Sequence, residues 1–167
     1  MDERVQPRRP VETGVMDPMP LMHPMMRANF GKWDWHDRLR PGVLHHMAKS
    51  GDEIWTVRAG TQRQMDVHTI RKLADIADEY AEGHVRFTTR SNIEFMVTDV
   101  AKVNPLIDKL TASGFPVGGT GNSVSMISHT QGWLHCDIPG TDASGVVKSL
   151  MDTLHKEFIQ EEMPNRV

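Results

Sequence analysis

The order of strand-like and helix-like hydrophobic patterns in the middle of this chain restricts its fold more than any other feature. The segment EIWTVRA is rich in β-forming residues and predicts a strand. Asp66 then precedes a run with apolar residues at helical spacing, which predicts a helix that ends at Gly83. Two short strands around a turn at Arg90–Asn92 follow, and a helix from about residue 100 to 113 stops at Gly114. The order β-α-β-β-α predicts an α+β fold, a ferredoxin-like α/β sandwich.

The first 40 residues predict an extended arm, because repeated prolines interrupt helices and remove the donors that a sheet needs. A disordered tail is one interpretation, but such tails are poor in large apolar side chains. This segment carries five methionines between residues 16 and 26, and Phe30, Trp33 and Trp35 follow. We therefore expect residues 1–40 to lie along a partner subunit. The prolines are Pro7, Pro10, Pro18, Pro20 and Pro24.

A glycine-rich loop at residues 118–122 marks the boundary between a half-domain, residues 41–118, and a last segment, residues 119–167. A helix is predicted to begin near Thr141 or Asp142 and to stop at Pro164. Residues 165–167 read as the opening of a strand, so we expect the chain to be a fragment of a longer protein. The apolar residues of the predicted helix lie at i, i+4 spacing, at Val146, Leu150, Leu154 and Phe158.

The composition excludes several classes of function. Nineteen basic and 22 acidic residues give a net charge of −3, so no broad positive field attracts nucleic acid, and we expect no nucleic-acid partner. No apolar run approaches the ~20 residues of a membrane span, and the first residues lack the apolar core of a secretion signal. These features predict a cytoplasmic protein that does not span a membrane. A single cysteine excludes an internal disulfide and an all-cysteine metal site within this chain.

Arginines of the segment RFTTR are the first candidates for chemistry. On a strand, Arg86, Thr88 and Arg90 share one face, and two like charges there repel each other unless an anion lies between them. Guanidinium groups present paired donors that suit carboxylates and oxyanions. The alternative is a solvated strand face, and Glu94 is placed to neutralise one arginine locally. Arg58, at the end of the first predicted strand, is expected near the same surface.

Two further segments have a functional and a plain interpretation. The loop Gly118–Asn122 is a candidate for backbone N–H groups that bind an anion, although it matches neither nucleotide-binding fingerprint. Its plain interpretation is a flexible turn. Cys136, at a predicted strand end beside a polar turn, is either a ligand of a cofactor or a small hydrophobic residue. The nine histidines show no zinc-ligand spacing with a second cysteine.

Three stretches of the chain resemble the nitrite and sulfite reductase family, and specifically its dissimilatory sulfite reductase beta subunits. The likeness covers about residues 41–167 and is looser in the arm. It implies that the chain is an amino-terminal fragment and that residues 119–167 begin the sirohaem and iron–sulfur domain. The stretches are PGVLHHMAKSGDEIWTVRAG, IRKLADIADEYAEGHVRFTTRSNIEFMV and GGTGNSVSMISHTQGWLHCDIPGTDASGVVKSLMD.

The resemblance implies two cofactors, sirohaem and a [4Fe–4S] cluster that are coupled through a shared cysteine. Sirohaem carries eight carboxylates, and Arg58 matches an arginine that helps to hold the substrate oxyanion in active halves of the family. Cys136 matches the first cluster ligand, and the other three would lie beyond Val167. The remaining positions that the resemblance assigns to the macrocycle are Arg86, Thr88, Arg90, Asn92, Gly121 and Asn122.

One departure from the family pattern concerns the segment after the glycine loop. Active halves carry an arginine three residues after the asparagine, but here Ser125 follows Asn122 at that distance. The resemblance therefore implies that these arginines face the non-catalytic macrocycle, while an alpha subunit supplies the catalytic basic pocket in an alpha2beta2 assembly. The implied reaction is the six-electron interconversion of sulfite and sulfide, with a small sulfur-carrier or electron-transfer protein as a further partner. The stretch GDEIWTVRAGTQRQMDV is similar to the oxidative version found in sulfur oxidisers.

Two other classes of protein compete with this interpretation. A ferredoxin-like RNA-binding module would need more aromatic residues on the sheet and a basic surface, and the chain is net acidic. A cofactor-free structural or assembly subunit fits a chain with one cysteine, because one thiolate cannot hold a cluster alone. Sirohaem bound by the chain would argue against the second alternative.

Overall fold

An antiparallel sheet of five strands organises the computed structural model, which describes residues 17–167. The strands lie in the order β1-β2-β3-β5-β4. Their bounds are Trp33–Arg40 for β1, Val43–Ala48 for β2, Glu53–Ala59 for β3, Val85–Phe87 for β4 and Ile93–Val97 for β5. Five α-helices accompany them: α1 at Pro24–Ala28, α2 at Val67–Tyr80, α3 at Val103–Ala112, α4 at Ala143–Thr153 and α5 at His155–Ile159.

The predicted β-α-β-β-α order is confirmed as β3, α2, β4, β5 and α3. Asp66 caps α2 by accepting a hydrogen bond from the Thr69 amide at 2.6 Å. Glu82 and Gly83 both take positive φ angles, 53° and 72°, and end the helix. A short 3₁₀ turn precedes α3, and Gly114 follows it with φ 85°. Local signals therefore fixed the limits of these elements.

The hydrophobic core lies between one face of the sheet and the two helices α2 and α3. Phe95 on β5 is fully buried at its centre. Leu73 and Ile76 of α2, and Leu106 and Leu110 of α3, belong to the same buried cluster. Because side chains alternate along a strand, the residues between these core positions point to the opposite face of the sheet. That second face carries the polar groups described below.

Strands β1 and β2 were not predicted, and their pairing corrects the description of the arm. The pairs Asp37↔His45 and His36↔His46 join them as an antiparallel ladder, so residues 33–40 belong to the sheet. Every residue of β1 after Trp33 is exposed, as an edge strand allows, and the segment therefore lacks an apolar face that would mark it as a strand. Residues 33–40 are extended, but as a strand of this chain's own sheet rather than a separate arm, and their contact with a partner subunit stays a prediction.

Residues 17–32 also depart from the predicted arm. Pro24 occupies the first turn of α1, where its missing N–H costs no hydrogen bond, so prolines do not exclude a helix here. Asn29 is buried and donates to Asp52 Oδ2 at 2.8 Å, which ties the segment to the turn between β2 and β3. These residues thus contact their own chain, and residues 1–16 of the predicted arm lie outside the described part.

His23 is a second residue that holds the segment 17–32 against the rest of the chain. It is 1% exposed, and its Nδ1 accepts a hydrogen bond from the Met25 amide at 3.2 Å. Its Nε2 lies 3.3 Å from Glu82 Oε2 but without the alignment of a hydrogen bond. Burial lowers the pKa of His23 below its ordinary value of 6.5, and this effect exceeds the opposing attraction of Glu82.

We expect the protein to lose stability as the pH falls below 6.5, because His23 takes up its proton more readily in the unfolded chain. The contribution is fully present above that value and declines towards the lower pKa of the folded state. His46, whose pKa burial also lowers, adds to the same slope. Urea denaturation at pH 7.5 and 5.5 measures it. His23→Asn, which keeps a capping acceptor, should flatten the slope, whereas the exposed His68→Asn should not.

The last helix is broken in the structure. Asp142 caps α4 as predicted by accepting from the Gly145 amide at 3.0 Å, but the chain leaves the helical geometry at Leu154 and resumes as α5. Phe158 is buried, whereas Val146 and Leu150 are exposed, so the predicted stripe does not form one buried face. The helix ends at Ile159, five residues before the predicted stop. No helix among residues 17–167 is long and apolar enough to cross a membrane.

Candidate functional site

A row of three charged residues crosses the sheet on the face opposite the core. The register pairs Glu94 of β5 with Arg58 of β3 on one side and with Arg86 of β4 on the other. Arg58 Nη2 donates to Glu94 Oε1 at 3.0 Å, and Arg86 Nε donates to Glu94 Oε2. Glu94 is fully buried, so the two arginines are held together by a carboxylate that has left water.

The predicted strand face of Arg86, Thr88 and Arg90 needs correction. β4 ends at Phe87, and Thr88 begins a turn in which its amide donates to Asn92 O at 2.8 Å. The alternation of side chains therefore stops before Thr88, and only Arg86 projects from the strand. Asn92 is buried and donates through Nδ2 to Ser125 O at 3.0 Å, so this side chain supports the loop after residue 122.

The glycine-rich loop uses its first amides inside the protein. The Gly118 amide donates to Arg58 O at 3.1 Å, and the Gly119 amide donates to Phe158 O at 2.8 Å. Asn122 accepts a hydrogen bond from the Met163 amide at 3.1 Å. The expectation that Gly118 and Gly119 present these donors to an anion is wrong, because they fasten the loop to β3 and α5.

A pocket of about 310 Å³ lies between this loop, the last residues of the chain and the polar face of the sheet. Three arginines from distant parts of the sequence line it: Arg38 of β1, Arg58 of β3 and Arg166. Glu161 lies 3.4 Å from Arg38 Nη1 and also accepts a hydrogen bond from Thr120 Oγ1 at 2.7 Å. The other lining residues are His36, Asp37, Leu44, Thr120 and Gly121.

Arg166 reaches the pocket through contacts with residues that are distant in sequence, and no sequence motif predicts these contacts. Its Nε donates to Ser125 Oγ at 2.9 Å, and its Nη2 donates to Gly119 O at 3.3 Å. Burial lowers the pKa of Arg166, and the positive charges of Arg90, Arg58 and Arg38 act in the same direction. Position 125 holds a serine and not the arginine of the family pattern. The guanidinium group of Arg166 lies against this serine.

One arginine that lines this pocket has a buried donor without an acceptor. Arg58 is 13% exposed, and its Nε has no hydrogen-bond partner among the described residues. A buried N–H without an acceptor costs free energy unless a ligand or water supplies one. The pocket thus combines several guanidinium groups with an unused donor, which fits a carboxylate or another oxyanion.

Aromatic rings continue the polar face beside the pocket. His36 and His46 stack with ring centroids 5.8 Å apart, and Trp33 meets His46 edge-on at 6.2 Å. His46 Nε2 lies 3.3 Å from Thr56 Oγ1. Burial lowers the pKa of His46, which favours the neutral ring. Flat ring surfaces next to an anion pocket suit a ligand that has both a ring system and acidic groups.

Cys136 does not lie at a strand end as predicted. It follows a 3₁₀ turn at Gly132–Leu134, its amide donates to Gly132 O at 2.6 Å, and the residue is exposed. Within residues 17–167, no three histidine, cysteine or acidic side chains come together in a group that could hold a metal ion. The residues of this chain therefore do not fit a [4Fe–4S] cluster on their own.

Comparisons with known proteins agree with the fold and with the resemblance. Residues 46–113 match the family described as nitrite/sulfite reductase ferredoxin-like half domain. The chain is 46% identical over 151 residues to the "Sulfite reductase, dissimilatory-type subunit beta" of Archaeoglobus fulgidus, covering 86% of this chain and 41% of that protein.

Two bacterial proteins of the same name give a similar result. The chain is 45% identical over 170 residues to the beta subunits of Nitratidesulfovibrio vulgaris and Megalodesulfovibrio gigas, and each alignment covers 95% of this chain. It spans 45% and 65% of these two proteins, so it corresponds to part of each relative. Residues 46–113 therefore carry the nitrite/sulfite reductase ferredoxin-like half domain, and most of the chain is similar to the beta subunits of dissimilatory-type sulfite reductases.

Proposed function

We propose that this chain is part of the beta subunit of a dissimilatory sulfite reductase and binds acidic groups of sirohaem in the arginine pocket. The enzyme would interconvert sulfite and sulfide by transfer of six electrons, in an alpha2beta2 assembly with an alpha subunit. A small sulfur-carrier or electron-transfer protein and a cytoplasmic location belong to the same proposal. The names of the relatives support it, although the chain spans 41% to 65% of their length.

The observation that carries the proposal is the pocket formed by Arg38, Arg58 and Arg166. Its volume of about 310 Å³ suits peripheral carboxylates rather than a whole macrocycle, so the body of the ligand would lie outside the pocket. Arg58 Nε, which is buried without an acceptor, would donate to one such carboxylate. Arg90, exposed on the neighbouring turn, would contact another from solvent.

Each group of residues has a separate task in this proposal. Arg58 and Arg166 hold negative charge in a place that is partly shielded from water, where their attraction is stronger than at the surface. His36 and His46 offer flat ring surfaces. Sirohaem, when bound, supplies the iron at which the sulfur oxyanion reacts. Cys136 is the candidate cluster ligand, and it needs three further ligands that this chain does not contain.

Titration of the purified chain with sirohaem tests the proposal. We expect a saturable shift of the main absorption band with one sirohaem per chain, and loss of binding as the salt concentration rises. Uroporphyrin, which also has eight carboxylates, should compete, whereas a porphyrin without carboxylates should not. Absence of binding, or equal competition by the porphyrin without carboxylates, would contradict the proposal.

A cofactor-free structural or assembly subunit is the second candidate. It is favoured by the single cysteine and by the internal ion pairs that Glu94 gives to Arg58 and Arg86. The chain would then bind the alpha subunit with the same affinity in the presence and absence of sirohaem. Coprecipitation of the two subunits with and without the macrocycle separates the two candidates, because cofactor-dependent association supports the first.

A further inference from the structure

Glu94 has a position that its neighbours on the sheet define closely. It lies on β5, between β3 and β4, and the register places one arginine on each side of it. Its side chain is 1% exposed, whereas those of Arg58 and Arg86 are 13% and 54% exposed. The three residues therefore form a line of charge that runs from the interior of the sheet face towards solvent.

Stability alone gives a poor account of this arrangement. A buried ion pair or triad can often be replaced by apolar residues of similar volume without loss of stability, because removing the charges from water offsets their attraction. A single carboxylate also leaves one of two guanidinium charges uncompensated. The triad thus carries a net positive charge, and an acidic group of a ligand beside Arg58 and Arg86 would compensate it.

The carboxylate also determines which donors of the two arginines remain available. It occupies Arg58 Nη2 and Arg86 Nε, and Gly119 O occupies Arg58 Nη1 at 3.3 Å. Arg58 Nε then has no acceptor, and within the described part of the chain neither do the two terminal nitrogens of Arg86. Each guanidinium group is therefore held by its bond to Glu94, and both side chains keep N–H groups that have no acceptor among the described residues.

We infer that Glu94 is a positioning residue, which holds Arg58 and Arg86 at a fixed spacing so that their unused N–H groups bind two acidic substituents of one macrocycle. This inference rests on the proposed function, because the ligand is the polycarboxylate proposed there. Glu94 itself does not contact the ligand. It restricts two long side chains before binding, which lowers the conformational entropy that binding must remove.

Charge and position predict opposite effects of one substitution, which makes the inference testable. Glu94→Gln removes a negative charge beside the pocket, so simple attraction would make the variant bind sirohaem more tightly. If Glu94 positions the arginines, the variant has lost a charge-assisted hydrogen bond, and we expect its affinity to fall by about 10-fold to 100-fold. Titration of the whole chain with sirohaem, followed by absorbance, measures the change.

Two further variants separate position from charge. Glu94→Asp keeps the charge but is one methylene shorter, so it cannot reach both guanidinium groups equally, and its affinity should also fall. This variant serves if Glu94→Gln does not fold. Glu53→Gln removes the same charge from a residue that lies 2.6 Å from His45 Nε2 at the other end of β3, and its affinity should equal that of the wild type. An equal or higher affinity of Glu94→Asp would overturn the inference.

A measurement without ligand tests the positioning role of Glu94 independently of sirohaem binding. In the wild-type chain, the Nε–H group of Arg86 should give a slowly exchanging NMR signal, because it is bonded to Glu94. The signal should shift or disappear in Glu94→Asp, and an unchanged signal would show that Glu94 does not fix this arginine. If the wild type itself fails to bind sirohaem, the proposed function fails. If it binds and the Glu94 variants bind equally well, only the positioning role fails.

Discussion

Replacement of Arg58 by methionine is expected to abolish measurable sirohaem binding and to lower the free energy of unfolding by about 3–5 kcal/mol. Methionine has a similar length and no charge, so the variant removes the donor that lacks an acceptor, Nε, together with the bond to Glu94 at 3.0 Å. Glu94 then keeps Arg86 alone, and that partner is half exposed. A buried carboxylate with less compensation raises the free energy of the folded state.

Two measurements separate the effects on binding and on stability. Urea denaturation gives the loss of stability, and titration with sirohaem below the first denaturation transition gives the affinity of the folded chain. Arg71→Met is the matched control, because Arg71 is exposed on α2, which packs on the core face of the sheet, and it does not line the pocket. Arg71→Met should bind sirohaem like the wild type. Binding by folded Arg58→Met within about threefold of the wild type would contradict the central role of Arg58 in the pocket.

The parts of the fold that local chemistry determines were predictable from the sequence. α2 has a capping aspartate, helical spacing of apolar residues and a glycine after its end, and all three signals act within a few residues of one another. β5 has the buried apolar residues Ile93, Phe95 and Val97 on one face. Such signals do not depend on the rest of the chain, so they can be recognised in the sequence before the fold is known.

Strand β1 shows why other elements were missed. Its sequence, WDWHDRLR, has charged or polar residues on both faces, and it becomes a strand because β2 supplies hydrogen-bond partners along its length. An edge strand needs no apolar face, so the pattern that marks β3 and β5 is lacking. Pairing between strands is a tertiary effect that overrides local preference.

The residues of the candidate site also fall into those that local sequence patterns predict and those that depend on tertiary contacts. Arg86 was found from strand alternation and Arg58 from its place at the end of a predicted strand. Glu94 was named as a neutralising neighbour, and the structure joins all three. Arg38 and Arg166 were missed, because β1 and the last residues reach the pocket through contacts that span the sheet and the glycine loop. No short sequence motif predicts contacts of this kind.

The alternation of side chains on β5 links the fold to the site. Phe95 points into the core between α2 and α3, and its neighbour Glu94 points to the polar face between two arginines. The rigid packing under Phe95 therefore sets the position of the carboxylate on the other side of the strand. A site built on the centre of a sheet keeps its geometry better than one built on a loop.

Gly118→Ala is expected to destabilise the protein by about 3 kcal/mol and to weaken sirohaem binding by displacing Arg166. A Cβ on Gly118 would overlap the carbonyl oxygen of Phe158 and would lie 2.9 Å from Ile159 Cα. Both are backbone atoms, so the glycine loop or the end of α5 must move. Arg166 depends on this packing, because its Nη2 donates to Gly119 O at 3.3 Å.

Gly140→Ala is the matched control for this last variant, because a Cβ at Gly140 meets no atom within 4 Å. Its stability should stay within about 0.5 kcal/mol of the wild type. Thermal denaturation compares the two substitutions, and the Nε–H signal of Arg166 in NMR spectra reports whether its bond to Ser125 Oγ persists. If Gly118→Ala retained both its stability and this signal, close backbone packing would not explain the glycine. The loop would then be a flexible turn, and the position of Arg166 would depend on its contact with Ser125 alone.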